Sequence, residues 1–261
     1  MENNIILSAQ NVSIGYTAGK SAHVIMHDVN LKLHSGSLTA LIGANGIGKS
    51  TLLRTITGLQ KPLSGHVLLN NRDITQFSQN ELAQNLSVVF TGDLPPSNLT
   101  CHELVALGRQ PYTNWLGSLS PADAAKINHA IELTQIMHLM HKRHFEVSDG
   151  QLQKVLIARA LAQDTPLIVL DEPTTHLDLQ HKIGVLRLLK SVAATTGKCI
   201  FYSTHDLDLA LQLSDEMVVM ADGSITQGTP QNLVKTRVFD RIFDDDGIVF
   251  DPEKGTFIVK K

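Results

Sequence analysis

Short apolar runs rich in Val, Ile and Leu alternate along the chain with stretches whose apolar residues recur every three or four positions. LTALIG (38–43) reads as a buried strand and KSTLLRTITGL (49–59) as the helix after it. HVLLN (66–70), LSVVF (86–90), PLIVLDE (166–172), KCIFYST (198–204) and EMVVMAD (216–222) read as further strands. TTHLDLQHKIGVLRLLKSVAATT (174–196) and HDLDLALQLS (205–214) read as intervening helices. Strands alternating with helices predict an α/β fold with a mostly parallel sheet covered on both faces.

Residues 98–163 break this rhythm with helical patterns and no convincing strand. SPADAAKINHAIELTQIMHLM (120–140) opens with Ser120 as N-cap, Pro121 at the first helical position and Asp123 in the first turn. Its Ile127, Ala130, Ile131, Thr134 and Met137 recur at helical spacing. The pattern predicts a helical subdomain over 98–163, inserted into a sheet domain made of 1–97 and 164–261. TGDLPPSN (91–98) and HFEV (144–147) would be its hinges.

Composition narrows the function classes. With 261 residues, 43% hydrophobic and 18% charged, the chain suits one large domain or a domain with a subdomain. A net charge of −3 gives no electrostatic reason to expect nucleic acid as a partner. Cys101 and Cys199 imply no disulfide framework and fit a reducing compartment such as the cytosol. MENNIILSAQ lacks the basic start and apolar run of a signal peptide. Runs such as LIVL and MVVM are far too short to span a bilayer, so at a membrane another chain would supply the spanning part.

GANGIGKST (43–51) matches the phosphate-binding loop G-x-x-x-x-G-K-[ST], placed as that loop must be between strand and helix. Its glycines let backbone N–H groups wrap phosphate oxygens. Lys49 would reach the outer phosphates and the Ser50 hydroxyl would ligate Mg²⁺. In LIVLDEP (167–173), four apolar residues push Asp171 and Glu172 out at a strand's C-terminal end, where open α/β sheets bind ligands. Asp171 can hold Mg²⁺ through water, and Glu172 can polarise a water for attack on a γ-phosphate. FYSTHD (201–206) repeats the geometry and puts His205 at the same edge, one histidine of twelve. VSDGQ (147–151) opens a second helix N-terminus, which also attracts anions. His138, His141 and His144, spaced by three near a predicted helix end, have no cysteine or acid beside them to complete a metal site.

With GANGIGKST, VSDGQ, LIVLDEP, TTHLD and STHD in this order, the chain resembles an ATP-binding-cassette (ABC) ATPase over nearly its whole length. The resemblance implies a P-loop NTPase: a RecA-like core, an N-terminal antiparallel β part and the inserted helical subdomain. It implies ATP and Mg²⁺ as cofactors and a homodimer with two chains head to tail around two ATPs. Tyr16, in SIGYTAG, fits the aromatic position that stacks on adenine. Gly43, Ala44, Asn45, Gly46, Ile47, Gly48, Lys49, Ser50 and Thr51 correspond to the phosphate cradle, with Ser50 and Asp171 serving the magnesium. Glu172 corresponds to the general base and His205 to the switch histidine. Ser148, Gly150 and Gln151 would act on the ATP held by the other subunit, and Asp178 fits the loop crossing the dimer seam.

Two positions depart from the pattern. Asp149 stands where glycine is common in the signature, and an acid there must point away from a γ-phosphate. Thr91 stands where the family has glutamine, and its shorter side chain would serve the metal through a water. ELVALGRQPYTNW (103–115), GHVLLNNRDITQFSQNELAQ (65–84) and VFDRIFDDDGIVFDPEKGTFIV (238–259) resemble cassettes of importers for iron–siderophore complexes, haem and cobalamin. That implies two transmembrane permease subunits, indirect contact with a substrate-binding protein, and a peripheral place on the cytoplasmic face of the inner membrane. The alternatives are an importer for another cargo, a non-transport ABC ATPase and a regulatory nucleotide-binding module. Ser50 and Ser148 lie less than a hundred positions apart with no sustained heptads between, which argues against the coiled-coil repair types.

Overall fold

The structure is a computed structural model that describes residues 4–18, 21–90, 97–242, 248–251 and 255–259. β1 (Ile5–Ala18) and β2 (Ser21–His34) pair antiparallel as a long hairpin interrupted by register shifts. Val29, Leu31 and Leu33 of β2 are buried while Asn30 and Lys32 are exposed, the period-two pattern of a sheet with one dry face. In β3 (Leu38–Gly43) all six residues are buried, as a central parallel strand requires. The chain then turns through the glycine-rich loop into α1 (Lys49–Ile56), whose Leu52, Leu53 and Ile56 are fully buried. Each such side chain contributes about 1.5–3 kcal/mol relative to exposure.

β4 (Ser64–Leu69) and β5 (Arg72–Asp73) complete a four-stranded sheet in the order β2-β1-β4-β5. HVLLN therefore belongs to the antiparallel sheet, pairing with β1, and not to the parallel one that its apolar run suggests. A short α2 (Gln79–Ala83) leads into β6 (Leu86–Val89). Next come α3 (Cys101–Ala106), α4 (Pro121–Thr134) and α5 (Asp149–Ala162), with 3₁₀ turns between them. Thr100 and Arg143 form a lone bridge, the sole β pairing among the described residues of 98–163. Ser120 caps α4 as expected, its hydroxyl accepting from the Asp123 N–H and the Asp123 carboxylate accepting in return.

α4 ends earlier than the pattern over 120–140 suggests. Gln135 turns left-handed at φ 57°, and Met137–Leu139 forms a separate 3₁₀ turn. His138 and His144 thus lie on different turns, and His144 Nε2 is engaged with Ser97. No common helical face carries the three histidines.

Beyond these helices run β7 (Leu167–Leu170), α6 (Leu179–Thr196), β8 (Cys199–Ser203), α7 (Leu207–Leu213), β9 (Glu216–Ala221) and β10 (Ser224–Gly228). α8 (Pro230–Lys235) and a hairpin of β11 (Ile248–Asp251) and β12 (Thr256–Val259) follow. α6 begins only after Asp178, so TTHLD is loop. The six-stranded sheet has the order β10-β9-β3-β8-β7-β6, parallel except for the β10 edge.

This sheet divides the hydrophobic core in two. Leu38, Ala40, Ile42, Ile168, Leu170, Ile200 and Tyr202 face the core shared with α3, α4, α5 and α6. Leu41, Leu167, Val169, Phe201 and Met220 face the core shared with α1 and the antiparallel sheet. Alternate side chains of one strand thus serve opposite cores, and its C-terminal edge is left for polar work. No helix among the described residues is long and apolar enough to cross a membrane.

One ion pair is buried among the three helices of the 98–163 segment. Arg109 Nε donates to Asp123 Oδ1 at 2.8 Å, its Nη1 donates to Ala162 O at 2.9 Å, and its guanidinium lies 3.9 Å from the Tyr112 ring centroid. Both side chains are under a tenth exposed. Hydrogen bonds from Ser120, then Arg109, hold the Asp123 carboxyl down at about 2. Asp123→Asn leaves the Arg109 charge buried without its partner and is expected to cost about 3 kcal/mol at neutral pH. The depressed group stabilises above the ordinary carboxylate range and ceases to as pH falls through its folded value. Urea unfolding should therefore show the gap to wild type narrowing as the pH drops below about 4.

Candidate functional site

Three neighbouring strands deliver the chemistry to one edge. The phosphate loop leaves the end of β3, Asp171 and Glu172 follow β7, and His205 lies two residues beyond β8, which sits between them. Gly48 serves as N-cap of α1 at φ 112° with no side-chain capping bond, so the backbone N–H groups of the first turn remain open to an anion. A Cβ at Gly48 would come within 2.6 Å of Ile25 Cγ2, and β2 thereby dictates glycine as much as the backbone angle does.

Lys49 is buried, and its Nζ donates to the carbonyls of Gly43 at 2.9 Å and Ala44 at 3.2 Å. Burial lowers its pKa, while the charges of Glu172 and Asp171 act in the opposite direction. Ser50 is exposed, and Thr51 is buried, its hydroxyl within 2.6 Å of the Tyr16 hydroxyl. Tyr16 itself is half-exposed on β1. A cavity of about 310 Å³ is lined by Tyr16, Ile25, Asn45, Gly46, Gly48, Lys49, Ser50, Thr51 and Glu172. A second cavity of about 150 Å³ puts His205 beside Gly43, Ala44 and Asn45. A larger one of about 560 Å³ lies between α6, α7 and the Thr256–Phe257 strand; it shares His205 with the second cavity but is lined by no residue of the phosphate loop. The chemistry argues for the smaller pair, since only they carry the loop's backbone N–H groups.

The acids are held by hydroxyls. Ser203, wholly buried at the end of β8, donates from Oγ to Asp171 Oδ1 at 2.5 Å and accepts the Glu172 N–H at 2.9 Å. Glu172 has φ 46°, a left-handed conformation unusual for a residue with a side chain. Its Oε2 accepts from the Thr175 hydroxyl at 2.9 Å and lies 3.7 Å from His205 Nδ1. Ser203 and Thr175 are not legible as site residues: from the sequence one reads as a strand end and the other as the start of the helix predicted over 174–196.

For Mg²⁺ the donors are hard oxygens, the Ser50 hydroxyl and the Asp171 and Glu172 carboxylates, around the mouth of a phosphate loop. That set fits an ion that keeps waters and takes one or two protein ligands plus phosphate oxygens. Thr91 and the nearby Asp93 lie outside the described residues.

The VSDGQ residues are not brought into either phosphate-loop cavity. Ser148 caps α5, its hydroxyl accepting the Gln151 N–H while Gln151 Oε1 accepts the Ser148 N–H. Gly150 abuts α6, where a Cβ would meet the His181 ring at 2.9 Å. His181 N–H and Nδ1 both lie within 2.9 Å of Asp178 Oδ1, the N-cap of α6.

The family model for ABC transporters matches residues 26–175, a span that includes the phosphate loop, VSDGQ and LIVLDEP. The chain belongs to the ABC transporter family. The achromobactin transport ATP-binding protein of Dickeya dadantii is 40% identical over 238 residues, 90% of this chain and 88% of that protein. The iron(3+)-hydroxamate import ATP-binding protein of Bacillus subtilis is 37% identical over 248 residues, covering 94% and 91%. A dimeric ATP-binding cassette solved with ADP and phosphate superposes with a TM-score of 0.73 at 28% identity, covering 86% of this chain and 98% of that one. As an ABC ATP-binding protein this chain binds ATP and is an ATPase, on a P-loop NTPase fold.

Gly48→Ala should test the ABC phosphate loop. A side chain there meets both the left-handed backbone and Ile25, so calorimetry should find ATP affinity down at least about tenfold. Gly46→Ala isolates the clash with Ile25: Gly46 is also left-handed at φ 79°, but a Cβ there has nothing within 4 Å, so the loss should be smaller.

Proposed function

We propose that this chain is the ATP-hydrolysing subunit of an importer for a metal-chelate-type cargo, an iron–siderophore complex, haem or cobalamin. The observation that carries the two-chain part of the reading is the separation of two anion sites. The phosphate loop and Glu172 share one cavity, while Ser148, Gly150 and Gln151 lie at a helix N-terminus outside it. A second copy, docked head to tail, would bring its VSDGQ helix to the γ-phosphate of the ATP held here, with Asp178 at the seam. Residues 98–163 act as the helical subdomain between 1–97 and 164–261.

In that assembly Tyr16 stacks on the base, and the loop from Gly43 through Ala44, Asn45, Gly46, Ile47 and Gly48 to Thr51 wraps the phosphates. Lys49 leaves its own carbonyls for the outer phosphate oxygens, a charge-assisted contact of the strong kind. Ser50 and Asp171 would hold Mg²⁺, which would supply charge neutralisation for the phosphates. Glu172 takes the proton of the attacking water, and His205 sits beside both Glu172 and the loop to orient the γ-phosphate. This chain sits at the cytoplasmic face of the inner membrane on two transmembrane permease subunits, which, fed by a binding protein, select the cargo. The names of the achromobactin and hydroxamate relatives support the chelate class and differ in the chelate itself.

Three variants test this. Lys49→Ala should lose most ATP affinity by calorimetry, and wild-type affinity would remove the loop from the site. Glu172→Gln keeps the shape but not the base, so it should bind ATP, stop turnover and run as a dimer on gel filtration with ATP. Adding Ser148→Arg should abolish that dimer, because the arginine would fill the partner's phosphate site; an undiminished dimer refutes the action in trans. Uptake of labelled iron chelate by cells carrying Glu172→Gln tests the cargo class, and unchanged uptake argues for another cargo.

A further inference from the structure

We infer that Ser203 is a positioning residue for hydrolysis, a single hydroxyl that fixes Asp171 and Glu172 relative to one another. The inference rests on the proposed roles of those two acids. The Ser203 side chain has no exposure and uses both of its hydrogen-bonding functions: Oγ–H donates to Asp171 Oδ1, and an Oγ lone pair accepts the Glu172 N–H. One oxygen of Asp171 is thereby occupied, and no described residue bonds Oδ2, which is left for the metal shell.

The second contact bears on the backbone. Glu172 adopts φ 46°, which an L-residue with a Cβ leaves readily unless its surroundings hold it. Three contacts oppose that relaxation: the Glu172 N–H donating to Ser203 Oγ, the Thr175 N–H donating to Glu172 O at 3.2 Å, and the Thr175 hydroxyl on the carboxylate. The Ser203 bond crosses from β7 to β8, so it also ties the acids to the strand that leads to His205. Alanine at 203 would leave a buried carboxylate oxygen and a part-buried N–H both without partners, and the Glu172 backbone held only from the Thr175 side. The phosphate loop, on β3 and α1, makes no bond to Ser203, so nucleotide binding should be spared.

The test compares Ser203→Ala, Ser203→Cys and Glu172→Gln with wild type. In the nucleotide-free protein, hydrogen exchange at the Glu172 amide should speed up on the order of tenfold in Ser203→Ala. ATP affinity and KM should stay within about twofold while kcat falls about 10- to 100-fold, as expected when a base is displaced by a fraction of an ångström. Ser203→Cys, with nearly the same shape and a weak donor, should fall between, and it decides the matter if the alanine variant does not fold. Unchanged exchange with unchanged kcat overturns the inference, as does a loss of kcat matched by a loss of ATP affinity, which would mark Ser203 as merely structural. If Glu172→Gln turns over normally, the role of Glu172 fails and the inference with it. If Glu172→Gln is inactive and the Ser203 variants are normal, only the inference fails.

Discussion

A parallel sheet survives only when both of its faces are dry, and that requirement organises this molecule. β3 is buried at every position, and β8 beside it and β7 beyond are buried throughout as well. Their side chains alternate between two cores, one shared with α1 and the antiparallel sheet and one shared with the helices of 98–163 and α6. With both faces committed to packing, polar groups have a place only at the strand ends. The phosphate loop, Asp171, Glu172 and His205 meet there because the three strands run the same way and stop at the same level.

The site sits on that edge at a cost to the fold. Lys49 is taken out of water, Glu172 is held left-handed, and Asp171 is buried with a carboxylate oxygen aimed at a serine. Each departure is stabilised locally, by the Gly43 and Ala44 carbonyls, by Ser203 and by Thr175. The helical segment has its own anchor in the Arg109–Asp123 pair, which joins α4 to the end of α5 without touching the sheet.

Residue identity and spacing determined a good deal. GANGIGKST between a strand and a helix, an acid pair behind four apolar residues, and a histidine after a third strand were enough to put forward Lys49, Ser50, Asp171, Glu172 and His205 as candidates, because each motif carries its chemistry in a few adjacent positions. SPAD announced the α4 cap because its hydrogen bonds close within three residues. Tertiary structure decided what depends on pairing across long separations. HVLLN has the same apolar run as a parallel strand, and only its partner β1 makes it antiparallel. The helix over 120–140 stops at Gln135, where the chain turns left-handed with no glycine or proline to announce it. Ser203 gains its contacts 31 and 32 residues away, across a strand boundary, and nothing in FYSTHD distinguishes it from an ordinary strand end. Local sequence sets which groups are present and which periodicity they follow; which of them touch is set by how the sheet closes, and that is a property of the whole chain.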